Sequence, residues 1–220
     1  MNVAVIIPAY NAANSLPKLL QRTLRFVPNK NIIVVNDGSR DATISIAEQF
    51  GVRVISHETN RGKGAALQTG FNTVLNENID AVITMDADLQ HQPEEIPNFI
   101  TLHGITQKDI IIGSRLHNKK GMPLHRLFSN VATTFLVKLR TGASITDSQS
   151  GFRFITRIVL EKVQVESFGF EAETEFLIKA AACGFTFGSI PIDTIYAGEK
   201  SNMTHLQTTI NFIKVLLKQY

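Results

Sequence analysis

Through residues 1–115 the chain repeats one pattern: a short apolar run, a polar turn, then a stretch with helical period. The apolar runs cover residues 3–7, 32–35, 52–55, 81–85 and 110–113, and the helical stretches cover 15–26, 41–50, 64–75 and 93–101. The runs are apolar at successive positions, so both faces of each strand are expected to be buried. Such alternation predicts βα units, a largely parallel sheet and helices on both of its faces.

After Arg115 the rhythm changes. Leu124, Leu127, Phe128, Val131, Phe135, Leu136 and Leu139 recur at helical spacing, which predicts an amphipathic helix of about sixteen residues. Residues 151–156 and 186–195 read as further strands around a helical segment at 171–183. The tail from 204 to 220 reads as another amphipathic helix, with Leu206, Ile210, Ile213 and Leu217 on one side. No internal repeat, low-complexity tract or linker interrupts the pattern, and 220 residues suit a single domain.

Composition narrows the picture only a little. A hydrophobic fraction of 44% with 19% charged residues is that of a folded globular chain. The net charge of +3 suits an anionic ligand or membrane surface without requiring either. With one cysteine, Cys183, no intrachain disulfide can form. The chain opens directly into the 3–7 run without a charged-then-apolar leader, so a cytoplasmic setting is expected. No apolar run approaches the roughly 18 residues that span a bilayer. Membrane contact would therefore be peripheral.

Three polar segments follow apolar runs and carry candidate chemistry. Asp86-Ala87-Asp88-Leu89-Gln90 comes directly after the 81–85 run. In open α/β sheets ligands bind beyond the carboxyl ends of strands, and two aspartates there suit Mg²⁺ or Mn²⁺ shared with substrate phosphates. Asp-x-Asp by itself is also common in solvated loops; its position after a buried strand favours the metal. Asn36-Asp37-Gly38-Ser39 follows the 32–35 run, and taken separately it reads as turn chemistry. Asn60-Arg61-Gly62-Lys63-Gly64 opens a helix, where two glycines admit a close backbone approach and the cations favour an anion. The chain has neither a Walker loop nor G-x-G-x-x-G, which disfavours P-loop and dinucleotide-binding enzymes. A glycine-rich N-terminal loop with a catalytic lysine, expected of a nucleotidyltransferase, is also lacking. The six histidines show no metal-ligand spacing. Cys183 reads as a buried packing residue, and Glu171, Glu173 and Glu175 as acidic residues opening a helix.

Together these segments resemble glycosyltransferase family two, whose fold is called GT-A. The matching strings are Val5-Ile6-Ile7-Pro8-Ala9-Tyr10-Asn11, Val34-Val35-Asn36-Asp37-Gly38-Ser39, Asn60 to Ala66 and Asp86-Ala87-Asp88-Leu89-Gln90-His91 with Pro93-Glu94. They continue with Gly113-Ser114-Arg115 and Ser150-Gly151-Phe152-Arg153. Asp147 to Arg153 and Gly198-Glu199-Lys200-Ser201-Asn202-Met203 look like the polyprenyl-phosphate branch, typified by dolichyl-phosphate mannose and glucose synthases. The Gln-x-x-Arg-Trp signature of processive members is excluded, because the chain has no Trp.

The resemblance implies a GT-A fold with a nucleotide-sugar-binding half (1–115) and an acceptor-binding half (116–220). It implies that Pro8, Ala9, Tyr10 and Asp37 hold the nucleoside, with Lys63 and Ala87 also at the donor. Asp86, Asp88 and Gln90 would hold Mg²⁺ or Mn²⁺. Arg115 and Arg126 would face the phosphates of donor and acceptor, assisted by Arg153 and Lys200. Asp88, Arg115 and Arg126 are then the expected catalytic residues. Where the family often has Glu after Tyr-Asn, Ala12 follows Asn11, so nucleotide preference does not carry over. Mannose from GDP-mannose and glucose from UDP-glucose are the sugars that the resemblance suggests.

The expected reaction is an inverting transfer of a hexose to a polyprenyl phosphate. An acceptor hydroxyl needs a base, for which Asp147 is a candidate, whereas a phosphate needs none; for Asp147 the anchoring of its own turn is preferred. The amphipathic helices, edged by Lys119, Lys120, His125, Arg126, Lys138, Arg140, Lys214 and Lys218, suit the cytoplasmic face of a membrane. For the first helix, packing on the sheet is an equal alternative. The partners expected are a nucleotide-sugar, a lipid phosphate and a membrane surface, with a separate anchoring protein as a candidate and no nucleic acid. A hydroxyl-acceptor glycosyltransferase and a catalytically silent nucleotide-sugar binding module are the alternatives.

Overall fold

The computed structural model describes residues 1–117, 122–193 and 205–220. Lys119, Lys120 and the segment from Gly198 to Met203, Lys200 included, lie outside them. The elements run β1 (Val3–Ala9), α1 (Leu16–Thr23), β2 (Ile32–Asp37), α2 (Thr43–Gln49), β3 (Arg53–His57) and α3 (Lys63–Leu75). Then come β4 (Ala81–Thr84), α4 (Ile96–Thr106), β5 (Ile110–Ser114), α5 (Leu124–Thr141), β6 (Arg153–Thr156) and α6 (Arg157–Lys162). The chain continues with α7 (Ala172–Ala182), β7 (Phe187–Pro191) and α8 (His205–Leu217).

The seven strands form one sheet in the order β3-β2-β1-β4-β6-β5-β7. All pairings are parallel except those of β6, which runs antiparallel between β4 and β5. The mostly parallel sheet expected from the sequence is therefore present. The reversed strand is a finding of the structure, because a buried strand has the same apolar pattern in either direction.

Alternate side chains of each strand feed two cores. Val3, Val5 and Ile7 pack with Leu16, Leu19 and Leu20 of α1 and with Phe99 of α4. Ala4 and Ile6 face the other way, onto Ala66, Leu67 and Val74 of α3 and onto Phe176, Leu177 and Ala180 of α7. The fit of α3 is close at Gly70, where an added Cβ would lie 2.5 Å from Ile6 Cγ2. Arg157 closes this side by donating to the carbonyls of Leu75, Glu77 and Ile79 just past the end of α3.

Three expectations change. The run at 52–55 is not buried on both faces: it becomes edge strand β3, none of whose residues is fully covered. Cys183 caps the C-terminus of α7 and is exposed, because the helix ends there and turns away at Gly184, φ +81°. The apolar stripe of helix α5 does not lie on the sheet; of the helix only Val137 joins the core there. The helix packs against α7 and α8, and only Thr134 and Val137 are buried along its length. Leu124, Phe128, Phe135 and Leu139 are 71%, 72%, 63% and 74% exposed. Of the two readings open for this stripe, packing on the sheet is thereby overturned.

Candidate active site

The carboxyl ends of β1, β2 and β4 meet along one edge of the sheet, and the loops that follow them are tied together. Asn11, at φ 51°, accepts from the amide of Arg40 through Oδ1, while its own amide donates to Ser39 Oγ. The amides of Ala12 and Ala13 donate to Thr43 Oγ1 and Asp41 Oδ2. Pro8 is half-buried, Ala9 buried and Tyr10 exposed beside this junction.

Asp37 ends β2 with its carboxylate already engaged. It accepts from the amides of Arg61 (2.9 Å) and Gly62 (2.8 Å) and lies 2.7 Å from His57 Nδ1. The other ring nitrogen of His57 is 2.9 Å from Thr69 Oγ1 on α3. Asp37 thus ties the Asn60–Lys63 loop to the sheet. Gly38 is required here: its φ is +71°, and a Cβ would sit 2.5 Å from the Thr59 carbonyl carbon. The turn chemistry of the sequence and the loop-holding carboxylate are one device.

The turn after β4 places Asp86, Ala87, Asp88 and Gln90. Its shape is held by His91, whose Nδ1 accepts from the amide of Asp86 at 3.2 Å and whose ring stacks on Phe152, centroids 5.1 Å apart. Asp88 accepts from the amide of Gln90 at 3.0 Å. Leu89, at φ 63°, makes the reversal. Burial pushes the His91 ring down to about 4 despite the opposing pull of Asp86, so it is neutral at ordinary pH.

Lys63, the first residue of α3, reaches over this turn. Its Nζ is 2.6 Å from Asp86 Oδ1 and 3.0 Å from Glu173 Oε2, the latter on α7. Burial pushes the Asp86 carboxyl up, but Lys63 and then His91 more than reverse this, and it settles at about 2. The same two carboxylates raise Lys63 above its usual value against its own burial. Gly151 leaves room for the pair: a Cβ there would lie 2.8 Å from Asp86 Oδ2 and 2.9 Å from Lys63 Nζ.

Arg115, just beyond β5, makes a bidentate pair with the wholly buried Asp147, Nε to Oδ2 at 2.9 Å and Nη2 to Oδ1 at 3.0 Å. Burial raises the Asp147 carboxyl, and Arg115 pulls it below the usual carboxylate range. Arg153 does not face a ligand as expected. It is 2% exposed and donates to the carbonyls of Ser150, Ser148 and Glu173, so it braces the 147–152 loop from inside. Arg126 stands half-buried on the first turn of α5. His57, His91 and Glu173 were not assigned to the site from the sequence. For His91 the signal was its place at the end of the Asp86–His91 string, three residues after Asp88.

A cavity of about 290 Å³ lies between α5, α7 and α8, lined by Leu136, Phe170, Phe212 and Ile213 together with Gln149 and Glu171. Gln149, one of the lining residues, donates its amide to Asp147, the partner of Arg115. Among the described residues, no group of three His, Cys, Asp or Glu side chains converges as a metal cage. Hard oxygen donors at Asp88 and Gln90 instead fit a cation that keeps waters and shares substrate phosphates.

Residues 4–164 match the family model described as Glycosyl transferase family 2. The chain belongs to that family. The glycosyltransferase is 32% identical, over 88% of its length and 86% of the relative's, to UDP-N-acetylglucosamine–dolichyl-phosphate N-acetylglucosaminyltransferase of Methanococcus voltae. It is also 32% identical to undecaprenyl-phosphate mannosyltransferase of Micrococcus luteus, over 87% of this chain and 83% of that one. Its relatives are thus of the polyprenyl-phosphate sugar synthase-like branch. In fold it resembles glucosyl-3-phosphoglycerate synthase of Mycobacterium tuberculosis, solved with Mn²⁺, UDP and phosphoglyceric acid. That likeness has a TM-score of 0.76 at 21% identity, covering 98% of this chain and 77% of that one.

Proposed function

We propose that the enzyme transfers a hexose, with inversion, from a nucleotide-sugar to a polyprenyl phosphate at the cytoplasmic face of a membrane. The observation that carries this reading is the pairing of three carboxylates around the site. Asp86 and Glu173 are both held by Lys63, and Asp147 is held by Arg115. A carboxylate locked on a cation is a poor general base. An acceptor hydroxyl would need one. A phosphate monoester, carrying about −1.5 to −2 charges at neutral pH, would not.

In the proposed step an oxygen of the lipid phosphate forms a bond to the anomeric carbon as the bond from that carbon to the donor's β-phosphate oxygen breaks. The nucleoside diphosphate leaves and no proton need move. Pro8, Ala9 and Tyr10 would seat the nucleoside, with Asp37 holding the loop around it. Asp88, with Gln90, would hold Mg²⁺ or Mn²⁺, which when bound supplies charge neutralisation on the leaving diphosphate. Arg115 and Arg126 would hold the two anionic groups together.

The acceptor side is supported by the exposed face of α5 and by the names of the relatives. An apolar surface of this kind marks an interaction site. It is edged by Arg126, Lys138 and Arg140, as suits an anionic bilayer. The adjoining cavity runs from that surface toward Gln149, a path suited to an amphiphile with an apolar tail and an anionic head. The proposed contact is peripheral; among the described residues no helix is long and apolar enough to cross a membrane.

The test is transfer of label from GDP-mannose, UDP-glucose and UDP-N-acetylglucosamine to a short polyprenyl phosphate with Mn²⁺ or Mg²⁺. Label entering the lipid from one donor, and lost with EDTA, is expected. Donor hydrolysis without lipid product would instead point to a hydroxyl acceptor. Retained stereochemistry in the product would refute the single displacement.

A further inference from the structure

The nearest approach of opposite charges in the site is made by Lys63. Its ammonium joins the ends of three elements: it stands at the start of α3, it touches Asp86 after β4, and it touches Glu173 in the first turn of α7. The junction is built closely. Gly62, at φ +100°, and Gly64 press on the backbone of the loop before α7, and the amide of Ala65 donates to the Phe168 carbonyl. On the other side, Gly151 has no Cβ that would displace the pair. The backbone that carries this residue is thereby fixed against the loop before α7, and the Lys63 side chain is only 15% exposed. Its charge is already shared by two carboxylates.

We propose that Lys63 is a positioning residue that occupies the cation seat of Asp86. Asp86 is then satisfied by protein and does not itself take up a divalent cation. The triad carries one positive and two negative charges. With Lys63 in place, and with the buried Arg153 donating to the Glu173 carbonyl close by, the two carboxylates are matched by two cations. Without Lys63 an excess negative charge would remain on Asp86 and Glu173, which would draw a second cation and repel both the diphosphate and the acceptor phosphate. This inference rests on the metal-dependent reading of the site, but it has its own observable: the affinity of the nucleotide-free protein for Mn²⁺.

The experiment is a Mn²⁺ titration, followed by the electron paramagnetic resonance of the free ion, of the full chain and of Lys63→Met, Lys63→Arg and Asp88→Asn. Lys63→Met should bind Mn²⁺ at least roughly tenfold more tightly, the scale of a single nearby charge. Lys63→Arg should stay close to the parent. General damage to the fold would not tighten metal binding. If Lys63→Met does not fold, Lys63→Met combined with Glu173→Gln removes the buried pair together and still frees Asp86, so the same tightening is expected. Unchanged or weaker Mn²⁺ binding in the folded variants overturns the proposal. Loss of binding in Asp88→Asn beside an unchanged Lys63→Met would retain the metal reading and reject the role of Lys63. No Mn²⁺ binding by any of these proteins, with or without UDP or GDP, would reject both.

Discussion

Asp88 and Asp147 are both aspartates of the candidate site, but their surroundings differ. Asp88 lies on the turn after β4 with its side chain only partly covered, where a charge-neutralising cation would be needed. Asp88→Ala should raise the barrier by roughly 3–4 kcal/mol, read as a loss of initial transfer rate at saturating Mn²⁺; near-normal turnover would exclude the metal role. Asp147 is wholly buried against Arg115. Removing one partner of a buried pair leaves an uncompensated charge, so Asp147→Ala should cost about 3–5 kcal/mol of stability, measured by urea denaturation. His91 adds a pH dependence. Its ring is pushed down to about 4 in the folded protein, below its unfolded value near 6.5. Between these values the unfolded chain binds the proton and the native one does not, so stability falls as pH drops from about 6.5 to 4. In EDTA, His91→Gln should flatten the stability profile across that window. Asp86 contributes with the same sign but lower down, where pH falls from its unfolded range toward about 2.

At the scale of elements, α5 separates stability from acceptor use. Phe128 and Phe135 are exposed and support no core. Replacing both with Glu should leave the unfolding midpoint nearly unchanged, as surface substitutions do within about 0.5 kcal/mol. It should abolish sedimentation with anionic vesicles and reduce transfer to lipid while sparing donor hydrolysis. A loss of stability instead would mean that the face is covered. The heptad-like spacing of Leu124 to Leu139 announced this helix in the sequence but was silent on what its apolar side meets, since amphipathicity is the same for a sheet, a partner or a bilayer. The β6 reversal was illegible for a related reason: pattern records burial, not direction. The short helix α6 carries too few turns to show a period of its own.

For the molecule as a whole, net charge and apolar face should act together. Vesicle binding should weaken as salt is raised, because surface electrostatics is screened within about 10 Å at 0.1 M; salt-independent binding would leave the apolar contact as the only term. Taken by itself, the sequence determined the βα order, the strands of the parallel sheet and the position of Asp86-Ala87-Asp88 at the end of one of them. Those are consequences of local hydrophobic periodicity and turn chemistry, and they survive without knowledge of neighbours. Tertiary structure decided the partners. It directed Arg153 into the protein, gave Asp37 to the Arg61–Gly62 amides and paired Lys63 with Glu173, more than a hundred residues away in the chain. Each of these depends on which charged groups meet once the two cores have closed, and a charge takes its role from the nearest opposite charge rather than from its position in a motif.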